Sequence, residues 1–443
     1  MKQQIIEKIR NAGVVGAGGA GLPAHVKADA AVDTVLVNGA SCEPLLMSDP
    51  YLLEAEIETV VSGLRTLMEC TGAARGILCL KGKHGAAMRS ARAAAARHAA
   101  NGLEVAELED FYPAGDEHVL VHEVLGRTVP ERGIPLRVGA VVSNVESLYN
   151  IALAMRDEPV TDRYLTVTGE VRRPMVVKAP IGAPVRDVLD FAGGPVIADY
   201  AVVDGGPMMG RVLSGEAHSV TKTTSGLLVL PKDHAVVTGK VMDPERLRRI
   251  TATVCCQCSQ CTDLCPRNLL GHSLHPHKLM RAAGTADFAS ASIAREALLC
   301  SECGVCEKFA CPMKVSPREV NALIKKTLTA EGATWESRGN ELAAHMFRKE
   351  RRIPTARLVR RLNLERYDGH PAFAGAMEAP LVRIPLRQHI GAPSLPVVAV
   401  GDIVRKGCLV GEIPQGTMAA RVHAGIGGEV VSVADGMITI KVR

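Results

Sequence analysis

The sequence predicts an α/β domain with a parallel sheet, followed by small β domains and a helical, cysteine-rich domain. Three observations carry that reading. Over residues 1–157 short apolar runs alternate with stretches of helical period, the pattern of a sheet covered by helices on its faces. From residue 160, and again over residues 381–443, the chain turns to short alternating strands punctuated by glycine and proline. Between these parts, nine of the thirteen cysteines fall within residues 255–311. A chain of 443 residues has room for several cores. The expected divisions are 1–157, 160–240, 243–335, a basic linker or helix over 336–380, and 381–443.

Composition narrows the function classes. With 52 Lys+Arg against 47 Asp+Glu the formal charge is only +5, too weak to point to nucleic acid. One Trp, six Tyr and six Phe, thinly spread, supply no base-stacking platform. No apolar run approaches the roughly 18 residues that cross a bilayer, and no signal-peptide pattern opens the chain, so it is read as soluble and not membrane-spanning.

Residues 1–11 (MKQQIIEKIRN) place Ile5, Ile6 and Ile9 at helical spacing, which suits a short helix docked on the first domain or a targeting peptide for a protein shell. Next come Gly16, Gly18, Gly19 and Gly21, which satisfy G-x-G-x-x-G in letters. A dinucleotide fold needs a strand before that motif and a helix after it. Here a helix precedes and Pro23 follows. What remains is a loop without side chains, whose amides can approach a phosphate or a flat ring. A strand over residues 33–37 runs into the polar turn Asn38-Gly39-Ala40-Ser41-Cys42-Glu43-Pro44, at a strand end where ligands of open sheets sit. A helix is expected over 52–70, a strand over 76–80 and an alanine-rich helix over 86–100. Two further polar turns contain Gly115, Asp116 and Glu117, and Ser143, Asn144 and Ser147.

Farther along, residues 165–171 alternate as a strand, and Pro184 opens a helix. The loop 205–210 carries Met208 and Met209, which either pack on a cofactor or fill gaps. Asp243 and Pro244 are the N-cap and first residue of a helix that begins the cysteine-rich domain. Residues 279–299 are helical in composition. His272, His275 and His277 lie nearby and are read as polar loop residues. Residues 348–366 hold a run of Lys and Arg broken by Pro354, either a solvated face or a docking strip for an acidic partner.

The cysteine spacing is the most specific signal. Cys255-x2-Cys258-x2-Cys261-x3-Cys265-Pro266 is the run of a bacterial two-cluster ferredoxin, and Cys300-x2-Cys303-x2-Cys306-x4-Cys311-Pro312 repeats it with one extra residue. In such proteins the fourth cysteine of each run serves the other cluster. The expected sets are therefore Cys255, Cys258, Cys261 and Cys311 for one [4Fe-4S] cluster, and Cys265, Cys300, Cys303 and Cys306 for the second. Cys256 is spare. Zinc knuckles and disulfides fit less well, because neither explains the proline after each fourth cysteine. Thiolate-ligated iron implies a reducing compartment, the cytoplasm.

Taken together, the loop over 16–27, the turn over 38–44, the acidic turn at Gly115–Glu117 and the turn over 143–147 resemble the FMN-binding segments of the complex I flavoprotein subunit superfamily. That group includes the C subunit of the Rnf complex and the cobalamin reductases of propanediol-utilisation microcompartments. The resemblance implies a Rossmann-like FMN domain, a β-grasp (SLBB) domain, a helical two-cluster ferredoxin-like domain and a C-terminal barrel-sandwich hybrid. It implies that Gly16, Gly18, Gly19, Gly21, Gly115, Lys27, Asn38 and Asn144 hold FMN. Glu43 and Glu117 would lie near the flavin and an incoming NADH; the plainer reading makes them solvated loop acids. Ala17 and the pair Ala40-Ser41 depart from the superfamily pattern. The barrel-sandwich stretch has no lysine at its 415–420 tip, which rules out a swinging-arm carrier. The implied activity is NADH oxidation through FMN and two [4Fe-4S] clusters to a corrinoid or corrinoid-handling protein such as an adenosyltransferase, in the cytoplasm or inside a bacterial microcompartment. The alternative is an electron relay to a protein partner, as in the Rnf C subunit. No D-x-H-x-x-G corrinoid segment occurs.

Overall fold

The computed structural model describes residues 1–214, 218–284, 292–336 and 342–443. In the first domain, strands Leu103–Leu108, Arg75–Lys81, Thr34–Gly39 and Ala140–Asn144 lie side by side in that order, all parallel. Val35 and Val37 enter one apolar core and Leu36 the opposite one. Both faces of the strand are therefore covered, which is why it reads as a continuous apolar run.

The helix expected over 52–70 is two helices, Ser48–Ala55 and Ile57–Thr71, divided at Glu56, whose φ and ψ of −122° and 26° leave the helical region. The break lets the first piece pack on Gly85–Arg97 and the second on Val145–Met155. At that second contact a Cβ on Gly63 would stand 1.9 Å from the Leu148 carbonyl oxygen, so only glycine permits the approach. The opening helix, Lys2–Asn11, buries Ile5 and Ile9 against the domain, in keeping with docking.

The second domain is built on the antiparallel hairpin Asp162–Gly169 and Met175–Pro180. Gly226–Pro231 lies parallel to the first of these strands, and Tyr200–Asp204 and Arg211–Val212 extend the sheet. Its helix is Val185–Phe191. The sixth strand, Phe373–Ala376, comes from the segment expected as a linker. Earlier in that segment Ile353–Pro354 pairs with Phe111–Tyr112 of the first domain, and a helix spans Thr355–Arg361. The basic run is correspondingly turned inward in part. Arg352 meets Glu109 and Glu123 at 2.5 Å and lies over the Phe111 ring, while Arg348 also pairs with Glu123.

Short helices make up the cysteine-rich domain. Asp243 accepts from the Arg246 amide at 2.9 Å and Pro244 follows it, as the sequence predicts. Of the helical stretch expected over 279–299, Pro276–Ala283 is α-helical, Ser292–Leu299 is a 3-10 helix, and 285–291 lie outside the described residues. The C-terminal domain packs a four-stranded sheet, built on Leu381–Pro385, Met437–Lys441 and Gly428–Ala434, against a three-stranded one.

Lys222 sits where the first, second and last domains meet. Its ammonium donates to the carbonyls of Gly13 and Arg421, both at 2.6 Å. Burial pulls its pKa down from 10.5 to about 7. Between those two values the folded chain binds fewer protons than the unfolded one, so this lysine makes the fold more stable as pH rises and is most costly below that window. Lys222→Met should flatten that slope and, by leaving two buried carbonyls without a donor, cost about 1–3 kcal/mol. Urea midpoints measured from neutral to mildly alkaline pH read both effects.

Candidate functional site

A cleft of about 370 Å³ opens at the carboxyl ends of Thr34–Gly39 and Ala140–Asn144. The strand order reverses between these two strands, which is where open α/β sheets bind ligands. Three domains line it: Gly18, Gly19, Asn38, Glu43 and Asn144 from the first, Arg163 and the 205–210 loop from the second, and Cys303 from the helical domain. An adjoining narrower pocket is lined by Gly16, Lys27, Gly115, Glu117, Ser143 and Ser147. Gly21 borders a third cavity that shares Gly16, Lys27 and Glu117. The fold thus brings together all the residues expected to hold the flavin.

The loop that carries the glycines is pinned at both ends. Val15 bridges to Pro23, and the Gly16 amide donates to the Leu22 carbonyl at 2.8 Å. Both backbone groups of Ala17 are also taken: its amide by Ser147 Oγ at 2.8 Å, its carbonyl by Arg163 at 2.9 Å. Gly18 and Gly19 are left lining the cleft without side chains. A Cβ on Gly18 would meet Asn144 Nδ2 at 3.1 Å, and one on Gly115 would meet Asn38 Oδ1 at 2.9 Å. Lys27 Nζ lies 3.1 Å from Glu117 and donates to the Val142 carbonyl at 2.8 Å. A side-chain-free loop, a lysine and the amino end of Val145–Met155 suit a phosphate-bearing ring compound.

Side chains set the walls. Asn38 Nδ2 donates to the Gly115 carbonyl at 2.8 Å. Asn144 caps its helix by accepting from the Glu146 amide, and it donates to Asp49 at 2.9 Å. Both asparagines expected to reach the cofactor therefore also brace the loops around it. Glu43 is no solvated acid: it accepts from the Met208 and Met209 amides at 2.9 and 2.8 Å, tying the second domain to the first. Burial pushes its carboxyl up, with those amides and Lys240 pulling the other way. Glu117 remains half exposed. Burial likewise raises Asp49 to about 6 against the pull of Arg163 and Asn144. Met208 is fully buried and fills the gap under this loop, whereas Met209 is exposed at the cleft.

The thiols divide as the spacing predicts. Cys255, Cys258, Cys261 and Cys311 line one cavity, and Cys265, Cys300, Cys303 and Cys306 another. Burial, reinforced by the neighbouring thiols of its own group, pushes Cys261 up to about 12; burial also pushes Cys265 up to about 12, and Cys300 adds to it. A site that gathers four thiols yet disfavours bare thiolates fits a cationic iron–sulfur core, which would neutralise them. The two cavities differ in setting. In the inner one Cys265, Cys303 and Cys306 are buried, and Tyr112 Oη donates to the Cys303 carbonyl at 2.7 Å. In the outer one Cys258 is exposed, as is the spare Cys256.

The histidines do not converge. His272 is buried and pairs with the Val129 carbonyl at 3.1 Å, His275 with Glu296 at 2.8 Å, and His277 with Thr262 at 2.7 Å. Sequence reasoning missed Arg163, Asp49 and Tyr112. Arg163 sits in an alternating strand where a charge reads as solvent-facing, yet its side chain is only 3% exposed and lies 2.5 Å from Glu146.

Four family profiles match the chain: the Nuo51 FMN-binding domain over residues 9–153, the SLBB domain over 164–212, the 4Fe-4S dicluster domain over 254–316, and the RnfC barrel sandwich hybrid domain over 374–441. Fold and site together define a flavin/iron–sulfur electron-transfer oxidoreductase with FMN and two [4Fe-4S] clusters as cofactors. Full-length similarity narrows the class. The chain is 42% identical over 439 residues to cobalamin reductase PduS of Salmonella typhimurium, covering 99% of this chain and 96% of that one. The PduS of Citrobacter freundii is also 42% identical, with the same coverage. The protein belongs to the PduS cobalamin reductase family. The C subunit of the Na(+)-translocating ferredoxin:NAD(+) oxidoreductase complex of Acetobacterium woodii is 36% identical over 271 residues, 60% of this chain and 58% of that one. Among solved structures, an NAD+-reducing [NiFe]-hydrogenase in the H2-reduced state shares the fold, with a TM-score of 0.51 at 20% identity, covering 79% of this chain and 66% of that one.

Proposed function

We propose that this protein oxidises NADH at the three-domain cleft and delivers single electrons to a corrinoid, cob(III)alamin or cob(II)alamin. The observation that carries the reading is Cys303, which lines both the cleft and the inner thiol cavity. A flavin accepts a hydride as an electron pair and can release its electrons singly, whereas an iron–sulfur cluster carries one at a time. The chain's residues supply placement. The loop over 16–21, Lys27 and Gly115 would hold the flavin, braced by Asn38 and Asn144. Glu43 and Glu117 would flank the nicotinamide side. Cys265, Cys300, Cys303 and Cys306 would ligate the inner cluster, and Cys255, Cys258, Cys261 and Cys311 the outer one. With the groups so held, electrons would leave the cleft on the Cys303 side.

Kinship to PduS supports the corrinoid as acceptor and suits a place inside a microcompartment beside a corrinoid adenosyltransferase. Anaerobic assay of the purified protein with NADH and hydroxocobalamin tests the reading: cobalt reduction should proceed without any added protein. Flavin reduction with cobalt reduction only after adding a second protein would instead support a relay like the Rnf C subunit.

A further inference from the structure

The two thiol cavities are unequal in a way that bears on where electrons leave. The inner cavity adjoins the cleft at Cys303, and three of its four thiols, those of Cys265, Cys303 and Cys306, are buried. The outer cavity opens to solvent past Cys256, Gln257 and Cys258, all exposed, and the exposed Pro312 and Met313 form an apolar collar beside them, above the buried Met280 and Val315.

Three cations without ion-pair partners among the described residues flank this mouth. Lys278 and Arg281 lie on the helix Pro276–Ala283, whose His277 and Met280 line the cavity, and Arg281 falls one turn beyond His277. Lys314 sits between the lining residues Met313 and Val315. All three cations are exposed, and none has a carboxylate partner among the described residues. The nearby acids are occupied. Asp263 accepts from Ser259 at 3.3 Å and lies 3.9 Å from Arg351, Glu296 is held by His275, and Glu319 is paired with Arg318.

We infer that this face is the electron-exit surface, and that it docks an acidic-faced redox protein through an apolar collar ringed by Lys278, Arg281 and Lys314. The inference rests on the reading that electrons run from the cleft to the inner and then the outer thiol cavity. With a cluster held by Cys255, Cys258, Cys261 and Cys311, one electron would cross per encounter, the cluster losing one equivalent and the docked acceptor gaining one. An apolar centre brings the exposed ligand loop close to the partner, and unpaired cations steer an anionic surface towards it.

The test uses the holoprotein with flavodoxin as an acidic acceptor, cytochrome c as a basic one, and hydroxocobalamin as a small one. For the wild type, flavodoxin should bind the oxidised holoprotein, and the rate of its reduction should fall steeply as salt rises. The variant Lys278→Glu/Lys314→Glu should lose most flavodoxin binding and about tenfold or more in the second-order rate, while cytochrome c reduction accelerates. Hydroxocobalamin reduction should be unchanged. Reduction of both clusters by NADH without an acceptor should also be the same in both proteins. Equal flavodoxin binding and equal salt dependence in variant and wild type overturn the exit surface. Failure of NADH to reduce the clusters in either protein instead overturns the electron path on which it rests.

Discussion

Replacing Cys303 by serine should uncouple the two halves of the protein. NADH should still reduce the flavin, while the outer cluster stays oxidised and hydroxocobalamin reduction drops to background. The expectation follows from position: Cys303 lines both the inner thiol cavity and the three-domain cleft, and Tyr112, from the cleft wall, holds its carbonyl at 2.7 Å. Cys258→Ser is the contrasting variant. Cys258 lies in the outer cavity, so the inner cluster should remain reducible by NADH while transfer outward is lost. Anaerobic absorbance and electron paramagnetic resonance of the two NADH-treated variants separate these outcomes. If Cys303→Ser still reduces its outer cluster, electrons do not pass by way of the inner cavity.

The second large effect belongs to Arg163. Its guanidinium reaches Glu146 at 2.5 Å, the Thr224 carbonyl at 2.7 Å and the Ala17 carbonyl at 2.9 Å, all buried. Arg163→Met leaves the Glu146 carboxylate buried beside Asp49 with no cation, and removing one partner of such a pair costs about 3–5 kcal/mol. It also frees the Ala17 carbonyl, so the glycine loop loses an anchor and FMN should dissociate more readily. Arg163→Met/Glu146→Gln removes the stranded charge and should recover much of the stability while leaving the loop unanchored. Urea midpoints should therefore separate single from double variant, whereas released flavin fluorescence should be raised in both. Tight flavin retention in the single variant would show that the loop does not depend on Arg163.

What could be read from the sequence tracks how local each feature is. The placing of Cys265 with Cys300 around one cavity and of Cys311 with Cys255 around the other is legible because the spacing of the cysteines in each run already suggests that its fourth member reaches across to the other. The glycine loop and the capped helix at Asp243 are legible for the same reason: a few consecutive residues dictate them. Arg163 is not, because its partners lie on separate elements that only the fold brings together. The basic run at 348–366 carried a charge signal but no information on its partners, and Glu109 and Glu123 turned Arg348 and Arg352 inward. Phe373–Ala376 escaped detection as a strand because an edge strand containing a glycine has little alternation of its own. Glu43 reads as a loop acid until the 205–210 loop is seen to cover it.

The order of reduction inside one chain is the most direct test of this electron path. Anaerobic rapid mixing of the holoprotein with NADH, with no acceptor present, should show flavin reduction first, then the inner cluster, then the outer one. Flavin that stays reduced beside two oxidised clusters, or an outer cluster reduced ahead of the inner, would contradict it.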